Sequence, residues 1–255
     1  MTKAPDDQAV DESQQPFLEH IVELRSRILR SLSFVGLLFL PIYYFAEPLF
    51  TWVAEPLMSR LPEGAGMIAT QVASPFLAPF KLAIYAAIFV GVPFLLHQLW
   101  SFVSPGLYRH EKQFALPLLT SSVVLFYCGM AFSYFLVFPI VFTFFIEISP
   151  TGISMMTDIN QYLDFVMKMF LAFGLAFEIP VATLLMVWSG LTTADAMAAK
   201  RPYIIIGCFV VGMFLTPPDV VSQLLLAIPM WLLFEVGVML ARVFNNQDAE
   251  EETTD

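Results

Sequence analysis

The sequence predicts an all-α polytopic membrane protein with six transmembrane helices. Of its 255 residues, 58% are hydrophobic and only 13% are charged, whereas roughly 25% of a typical soluble chain is charged. The apolar runs are longer than strands, and a membrane barrel would instead show alternating segments of about ten residues. Helices satisfy the backbone hydrogen bonds of such a chain inside lipid. A short fifth helix and a concave arrangement of kinked helices are expected.

The two ends of the chain are polar and acidic. The formal net charge is −10, and many of the acids lie in residues 1–16 and 243–255. Both segments are predicted to be solvated cytoplasmic tails, the first of them disordered, on a membrane domain that covers residues 17–242. The start does not have the pattern of a cleavable signal peptide, and no basic stripe indicates a nucleic-acid partner.

A short amphipathic helix is predicted at residues 17–30, ahead of the first span. Its apolar residues recur every three or four positions and so share one face. Glu23 and Arg27 stand four residues apart with the acid first, which stabilises a helix by about 0.2–0.5 kcal/mol. The plain interpretation of Glu23 is therefore an exposed ion pair. The predicted spans are about 31–46, 76–103, 114–146, 160–189, 203–215 and 220–241.

Prolines and span lengths predict how these helices depart from straight crossings. Residues 47–75 are rich in proline and glycine, so a loop folded onto the membrane is expected there. Pro93 has no amide hydrogen and is expected to kink the second span. The third span exceeds the roughly 20 residues of an untilted crossing, so it must tilt or protrude. The fifth covers only about 20 Å, less than the hydrocarbon core.

Lysine and arginine predict the orientation of the chain. Six spans leave both termini on one side, and most basic residues lie near the termini and in the loops at 104–113 and 191–201. The positive-inside rule assigns these parts to the cytoplasm. The sequence shows no repeat of fixed period, which argues against an inverted-repeat transporter.

Glu178 is the acid that stands out inside a predicted span. A charged side chain there costs about 2.5–3.5 kcal/mol, so it should face a wet cavity, contact a partner or be protonated. Pro180 is expected to kink the helix two residues later and to free a carbonyl. The alternative is a neutral glutamic acid held by structural hydrogen bonds.

Four other polar residues have structural explanations. Asp164 and Lys168 stand four residues apart, and either mutual neutralisation or snorkelling of their charged ends to the membrane surface explains them. Thr216 and Gln223 lie at the outer ends of spans five and six. Such groups join neighbouring helices in many membrane proteins, and they could equally receive a separate helix.

The sequence does not predict an enzyme, a cofactor or a metal site. His20, His97 and His110 have no spacing that suits a metal. Ser189-Gly190 lacks the context of a nucleophilic serine, although span count alone leaves an intramembrane protease open. Two cysteines lie inside apolar runs, where thiols behave as small hydrophobic groups: Cys128 and Cys208.

The polar stretch 100–111 lies between the second and third spans. Ser104-Pro105-Gly106 indicates a turn, and Glu111 follows at the start of the next helix. An acid in that position complements the helix dipole by about 0.3–1 kcal/mol. Glu111 is thus either an ordinary capping acid or a receptor for a positively charged group.

Several motifs together resemble the TatC family, the multispanning receptor subunit of the twin-arginine protein translocase. The resemblance covers about residues 17–242, in order and with six spans. It implies a receptor in the bacterial cytoplasmic (inner) membrane for twin-arginine signal peptides of folded substrates, which are exported by the proton-motive force. It also implies TatA-type and TatB-type single-span partners in an oligomeric complex. The motifs are His20-Ile-Val-Glu-Leu-Arg-Ser-Arg27, Phe102-Val-Ser-Pro-Gly-Leu-Tyr-Arg-His-Glu111, Phe177-Glu-Ile-Pro180, Lys200-Arg-Pro-Tyr203, Phe209-Val-Val-Gly-Met213 and Thr216-Pro-Pro-Asp219.

The resemblance also implies roles for ten individual residues. Four of them would bind the signal peptide: Glu23, Arg25, Phe102 and Glu111. Glu178 would form an intramembrane polar site, and Pro56 and Asp219 would act in periplasmic loops. The partner helices would dock at Met213, Thr216 and Gln223.

The chemistry of the two polar segments agrees with a receptor for paired arginines. Arginine presents a planar fork of donors that a carboxylate accepts at two points, whereas lysine is a point charge. Glu23 and Glu111 supply two such carboxylates on the predicted cytoplasmic side. The competing hypothesis is a proton-coupled transporter of small solutes with Glu178 as the coupled site.

Overall fold

The structure is a computed structural model that describes residues 5–61, 66–103, 115–148, 156–215 and 220–252. Within these ranges the chain forms ten α-helices, a π-helical segment at Ser133–Val137 and two short strands. The helices are α1 (Pro5–Tyr44), α2 (Ala46–Met58), α3 (Ser74–Val103), α4 (Ala115–Phe132), α5 (Phe138–Glu147), α6 (Ile159–Ala176), α7 (Ile179–Trp188), α8 (Ala194–Ala199), α9 (Arg201–Leu215) and α10 (Val220–Glu252). The strands are β1 (Met67–Ile68) and β2 (Thr157–Asp158).

Six helical stretches fit the predicted spans. Helix α9 is apolar but has only 15 residues, about 22 Å, so it is shorter than a hydrocarbon core of about 30 Å. The all-α class with six spans and a short fifth helix is therefore confirmed. Within the described residues, five stretches are suited by length and composition to crossing a membrane: Ile21–Tyr44, Ser74–Phe102, Leu116–Glu147, Ile159–Trp188 and Val220–Val243.

Helix α1 joins the predicted amphipathic helix and the first span into one helix of 40 residues. It begins at Pro5, and α10 continues to Glu252, so helix extends into both predicted tails. Once a helix has nucleated on its apolar part, each further residue adds a hydrogen bond at little entropic cost. A polar end can therefore be helical without burying an apolar face.

Helix α2 occupies part of the region where a loop was expected. It packs against α3 and α5 and buries Val53, Ala54 and Leu57. Pro48 lies in its first turn, where an amide hydrogen would have no helical acceptor. The expectation of a loop at 47–75 was wrong for residues 47–58, because their apolar spacing outweighs their proline content.

The third and fourth spans are both interrupted. The third runs from α4 through the π-helical segment into α5, and the π-helical turn buries Tyr134 and Val137. The fourth breaks between α6 and α7 at Phe177 and Glu178. Pro180 cannot donate to the carbonyl one turn earlier, so the break agrees with the kink that its position predicted.

The core lies where α3, α4 and α6 meet. Helices α4 and α6 approach so closely that a Cβ on Gly129 would lie 2.3 Å from the carbonyl oxygen of Phe173. A Cβ on Gly174 would lie 2.6 Å from the ring of Phe126. Small residues permit such close contact between membrane helices. These two glycines therefore set the distance between the third and fourth spans.

Asp158 connects the two strands to the start of α6. Strands β1 and β2 pair in parallel, with Ile68 opposite Asp158. The Asp158 Oδ1 accepts hydrogen bonds from the amides of Asn160 at 2.9 Å and Gln161 at 3.1 Å. Its Oδ2 accepts from the Thr70 hydroxyl at 2.6 Å and the Thr70 amide at 3.0 Å. Because these donors favour the charged form, the pKa of Asp158 is lowered to about 2.

The depressed pKa predicts a pH-dependent contribution of Asp158 to stability. The unfolded pKa is about 3.9, so the contribution is complete above about pH 4 and is lost as the pH falls towards about 2. We expect the wild-type chain to unfold at a higher temperature than Asp158→Asn at pH 6, with the gap closing between pH 4 and pH 2. Unfolding midpoints in detergent at steps of half a pH unit would measure this gap. The exposed Glu47→Gln is the control, and a gap that stays constant down to pH 2 would contradict the prediction.

Candidate functional site

Arg27 of α1 links the Glu23 carboxylate of the same helix to the end of α3. The Glu23 Oε1 accepts from Arg27 Nε at 2.9 Å and from Arg27 Nη2 at 2.5 Å. The same guanidinium donates to the Ser101 carbonyl at 3.1 Å and to the Gln98 side chain at 3.4 Å. The predicted ion pair of Glu23 and Arg27 is therefore present. Through Arg27 it also connects the two polar segments identified in the sequence, residues 20–27 and residues 100–111.

The other predicted receptor residues are described to different extents. Arg25 is exposed on α1. Phe102 is half-buried in the last turn of α3, beside Ser101. Glu111 lies outside the described residues, so its role in signal-peptide binding stays a prediction.

Glu178 lies at the break between α6 and α7 and is half-buried. Its amide donates to the Leu175 carbonyl at 3.1 Å, and its own carbonyl accepts from the amide of Ala182 at 2.9 Å. Ser122 of α4 lies near enough to act on the carboxyl, yet neither Ser122 Oγ nor Glu178 Oε1 completes a hydrogen bond of standard geometry with any described residue. A carboxyl oxygen buried in this way is available to a group that is not part of the described chain.

Glu235 is a second acid inside a span, and the sequence analysis missed it. It lies in α10 and accepts two hydrogen bonds from Arg201 of α9. Nε reaches Oε1 at 2.6 Å, and Nη2 reaches Oε2 at 2.7 Å. This planar, two-point geometry is the strong form of an arginine–carboxylate pair. Glu178 stood out because a charged side chain inside a span is costly. The same argument applies to Glu235, which lies within the predicted sixth span at 220–241.

Asp164 is paired differently from the prediction. Its Oδ1 accepts from Lys81 Nζ of α3 at 2.7 Å, and among the described residues no ion pair joins it to Lys168. The predicted pair was wrong because the opposite charge comes from a neighbouring helix. The pair of Lys81 and Asp164 thus neutralises two charges in the amino-terminal parts of α3 and α6.

Gln223 connects the short helix α9 to α10. Its Nε2 donates to the Phe209 carbonyl at 2.9 Å, and a Cβ on Gly212 would lie 3.2 Å from its Cγ. The sequence left two roles open for Gln223: to join neighbouring helices or to receive a separate helix. The hydrogen bond to Phe209 shows that it joins α9 and α10. Met213 is 55% exposed on the outer face of α9. Thr216 and Asp219 lie outside the described residues.

Pro56 interrupts the hydrogen bonding of α2 and is compensated by a tyrosine. Proline has no amide hydrogen, so it cannot donate to the Trp52 carbonyl one turn earlier. The Tyr134 hydroxyl donates to that carbonyl at 2.9 Å, and the Tyr134 and Trp52 rings stack with centroids 4.5 Å apart. The same arrangement recurs in α3. Pro93 leaves the Phe89 carbonyl free, and the Tyr127 hydroxyl donates to it at 3.0 Å.

We expect Tyr134→Phe to cost about 1 kcal/mol of unfolding free energy, because the partly buried Trp52 carbonyl loses its hydrogen-bond donor. In a Pro56→Ala background the restored amide would serve that carbonyl, so the cost of Tyr134→Phe should fall. Denaturant titration in mixed micelles would give all four values of this double-mutant cycle. Tyr43→Phe is the matched control on an exposed tyrosine. Equal costs of Tyr134→Phe in both backgrounds would disprove the compensation.

In the described parts of the chain, no group of three or more His, Cys, Asp or Glu side chains could hold a metal ion. Both cysteines are free; Cys128 is exposed on α4 and Cys208 is buried on α9.

A model of one protein family, described as Sec-independent protein translocase protein (TatC), matches residues 19–229. The chain belongs to the TatC family. The resemblance seen in the sequence motifs is therefore confirmed. This TatC-family chain is a polytopic membrane subunit of the twin-arginine translocase, which is a protein transport system.

Individual relatives cover nearly the whole chain. A protein named TatC from Azotobacter chroococcum is 56% identical over 97% of this chain and 96% of its own length. The TatC of Haemophilus influenzae is 53% identical over 94% of each chain. That of Escherichia coli K12 is 48% identical over 94% of this chain and 93% of its own.

Two solved structures share the fold. Both are crystal structures of a protein called the twin-arginine translocase receptor TatC, one of them in the detergent DDM, and both are 33% identical to this chain. The first superposes with a TM-score of 0.80 over 88% of this chain and 98% of that one. The second gives 0.81 over 87% and 99%. This chain thus has the fold of the two solved TatC structures.

Proposed function

We propose that this chain is the signal-peptide receptor and core subunit of a translocase that exports folded proteins across the bacterial cytoplasmic membrane. The observation that carries the proposal is the Glu23 carboxylate, which Arg27 holds against the end of α3. This location puts an oriented acid beside the segment that leads to Glu111. The description of the two solved relatives as translocase receptors supports the same role.

The substrate is a signal peptide with two neighbouring arginines. Each arginine can form charge-assisted hydrogen bonds with one carboxylate, Glu23 or Glu111, on the cytoplasmic side. Hydrogen bonds to charged groups are worth about 1.5–3 kcal/mol each, so two of them separate cognate from other signals by several factors of ten. Arg25 and Phe102 would complete the contact with the peptide.

The partners are TatA-type and TatB-type proteins with a single transmembrane helix. The outer face of α9 offers an apolar surface for such a helix, since Val210, Met213 and Phe214 are all exposed. Gln223 fixes α9 against α10 beneath this surface, and Thr216, the next residue in the sequence after α9, is proposed to take part in docking. The chain would act in an oligomeric complex with these partners.

The proton-motive force would act through the intramembrane site and the outer loops. Glu178 supplies a buried carboxyl oxygen without a partner in the described residues. Pro56 and Asp219 belong to the periplasmic side, where Pro56 fixes the conformation of α2 through Tyr134. Both termini lie in the cytoplasm, as the distribution of lysine and arginine indicates.

Site-specific crosslinking of a twin-arginine precursor tests the receptor role. Glu23→Ala and Glu111→Ala should each reduce the crosslinked fraction about tenfold or more, because each removes a charge-assisted acceptor worth about 1.5–3 kcal/mol. Glu47→Ala is the control, since Glu47 is an exposed acid on α2, remote in sequence from both segments. Normal crosslinking in both single variants and in the double variant would disprove the proposal.

A further inference from the structure

One narrow face of α6 is exposed on a helix that is otherwise largely buried. Most residues beside this face are buried, because α3, α4 and α9 pack against the rest of the helix. The exposed residues are spaced seven, three and four positions apart, so they lie in one line along the helix. This exposed α6 face consists of Gln161, Lys168, Leu171 and Leu175. It thus combines one cation with two apolar positions.

Lys168 has no ionic partner among the residues that the structure describes. The acid one turn before it, Asp164, is already paired with Lys81 of α3 at 2.7 Å. These three side chains comprise two cations and one anion, so the cluster has one positive charge in excess. An anion that approaches the exposed α6 face would balance that excess.

Lys168 lies within a span, where an unbalanced cation is costly. It is the tenth residue of α6, about 14 Å along the axis from Ile159. A charged side chain at the centre of a span costs about 2.5–3.5 kcal/mol. A lysine can lower this cost by extending towards the membrane surface, but that route leads past Asp164, which Lys81 already neutralises. A carboxylate within the membrane is therefore a better partner for Lys168.

The rest of the exposed α6 face suits a second helix. Leu171 and Leu175 are 38% and 56% exposed, and they follow Lys168 at spacings of three and four residues. Side chains at such spacings form the contact line between two packed helices. From Gln161 to Leu175 the face extends about 21 Å, roughly four turns. A helix with leucine or small side chains and one carboxylate would complement both its shape and its charge.

We propose that the exposed α6 face docks a transmembrane helix that carries one carboxylic acid in its apolar segment, and that this acid pairs with Lys168. Lys81 stays paired with Asp164, so the added acid neutralises the remaining charge. The leucines supply packing, and the charge pair supplies selectivity. This surface shares no residue with the docking surface proposed on α9, and the inference does not rest on signal-peptide recognition.

A pair of synthetic peptides tests this docking directly. Each forms a single transmembrane helix of about 20 leucine and alanine residues, with either glutamate or glutamine at the same internal position. The full-length chain is reconstituted in nanodiscs of phosphatidylcholine, and fluorescence energy transfer from the chain to the peptide measures the affinity. Lys168→Met removes the charge, and Lys168→Arg keeps it. Lys200→Met is the matched control, because Lys200 is an exposed lysine that follows α8, outside the spans.

We expect the wild-type chain to bind the glutamate peptide about tenfold more tightly than the glutamine peptide, a difference of about 1.4 kcal/mol. Lys168→Met should abolish this preference, whereas Lys168→Arg and Lys200→Met should retain it. Leu171→Ala should weaken the binding of both peptides by the same factor, because it removes packing and leaves the charge in place. This variant tests the location of the surface independently of Lys168.

Equal affinities of the wild-type chain for the two peptides would overturn the inference, and so would an unchanged preference in Lys168→Met. If Leu171→Ala left both affinities unchanged, the helix would dock elsewhere. A lipid phosphate is the competing occupant. In that case phosphatidylglycerol in the nanodiscs would raise the unfolding temperature of the wild-type chain but not of Lys168→Met, and the glutamate peptide would bind no better than the glutamine peptide.

Discussion

Replacing Glu178 by alanine is expected to reduce the export rate of a folded twin-arginine precursor about tenfold or more, whereas glutamine retains much of the rate. The Glu178 carboxyl lies at the break between α6 and α7, and its Oε1 is buried without a hydrogen bond to any described residue. Glutamine keeps an acceptor oxygen of similar size and position, but alanine removes it. A tenfold loss of rate is about 1.4 kcal/mol, within the range for one buried hydrogen bond.

Export can be measured as protease-protected precursor in inverted membrane vesicles with an imposed proton gradient, normalised to the amount of the chain. Glu147→Ala is the matched control, because Glu147 is an exposed acid at the end of α5. Wild-type rates in both Glu178 variants would assign this residue a purely structural role. An equal loss of export rate in both variants would show that export depends on protonation of Glu178, because glutamine keeps the acceptor oxygen but cannot titrate.

The number and order of the spans could be predicted because the cost of exposing polar groups to lipid is a local property. Each span is a continuous apolar segment, so composition alone locates it. Helix α2 was missed because proline was treated as a signal for a loop. Pro48 is harmless in a first turn, and the cost of Pro56 is offset by Tyr134, which lies 82 positions away from the carbonyl that it serves.

The pairing of charged residues could not be predicted for the same reason. Asp164 has a cation one turn away, Lys168, yet its partner is Lys81, 83 positions earlier in the chain. Arg27 reaches Ser101 over 74 positions. Sequence spacing identifies candidate pairs within one helix, whereas these contacts depend on which faces of two helices meet. A proline within a helix does predict that the carbonyl four residues earlier lacks its usual donor. It does not predict which tyrosine supplies a donor instead.

Arg201→Ala is expected to lower the free energy of unfolding more than Glu235→Ala does. The Arg201 side chain is 41% exposed and that of Glu235 is 24% exposed, so the two charges differ in their access to water. Removing Arg201 leaves a carboxylate within a span, where it has no easy route to water. Removing Glu235 leaves an arginine whose long side chain can extend to the membrane surface.

Denaturant titration in mixed micelles would measure both single variants and Arg201→Met/Glu235→Leu, the apolar double variant. Because the double variant leaves no unpaired charge, it should be more stable than Arg201→Ala. Arg242→Ala is the matched control, since its pair with Asp195 is exposed and such pairs contribute about 0–1 kcal/mol. If Glu235→Ala lowered the free energy of unfolding as much as Arg201→Ala, neither charge would be able to reach water once its partner is removed. Arg201 would then hold the short helix α9 in place by a contact that the membrane surface cannot replace.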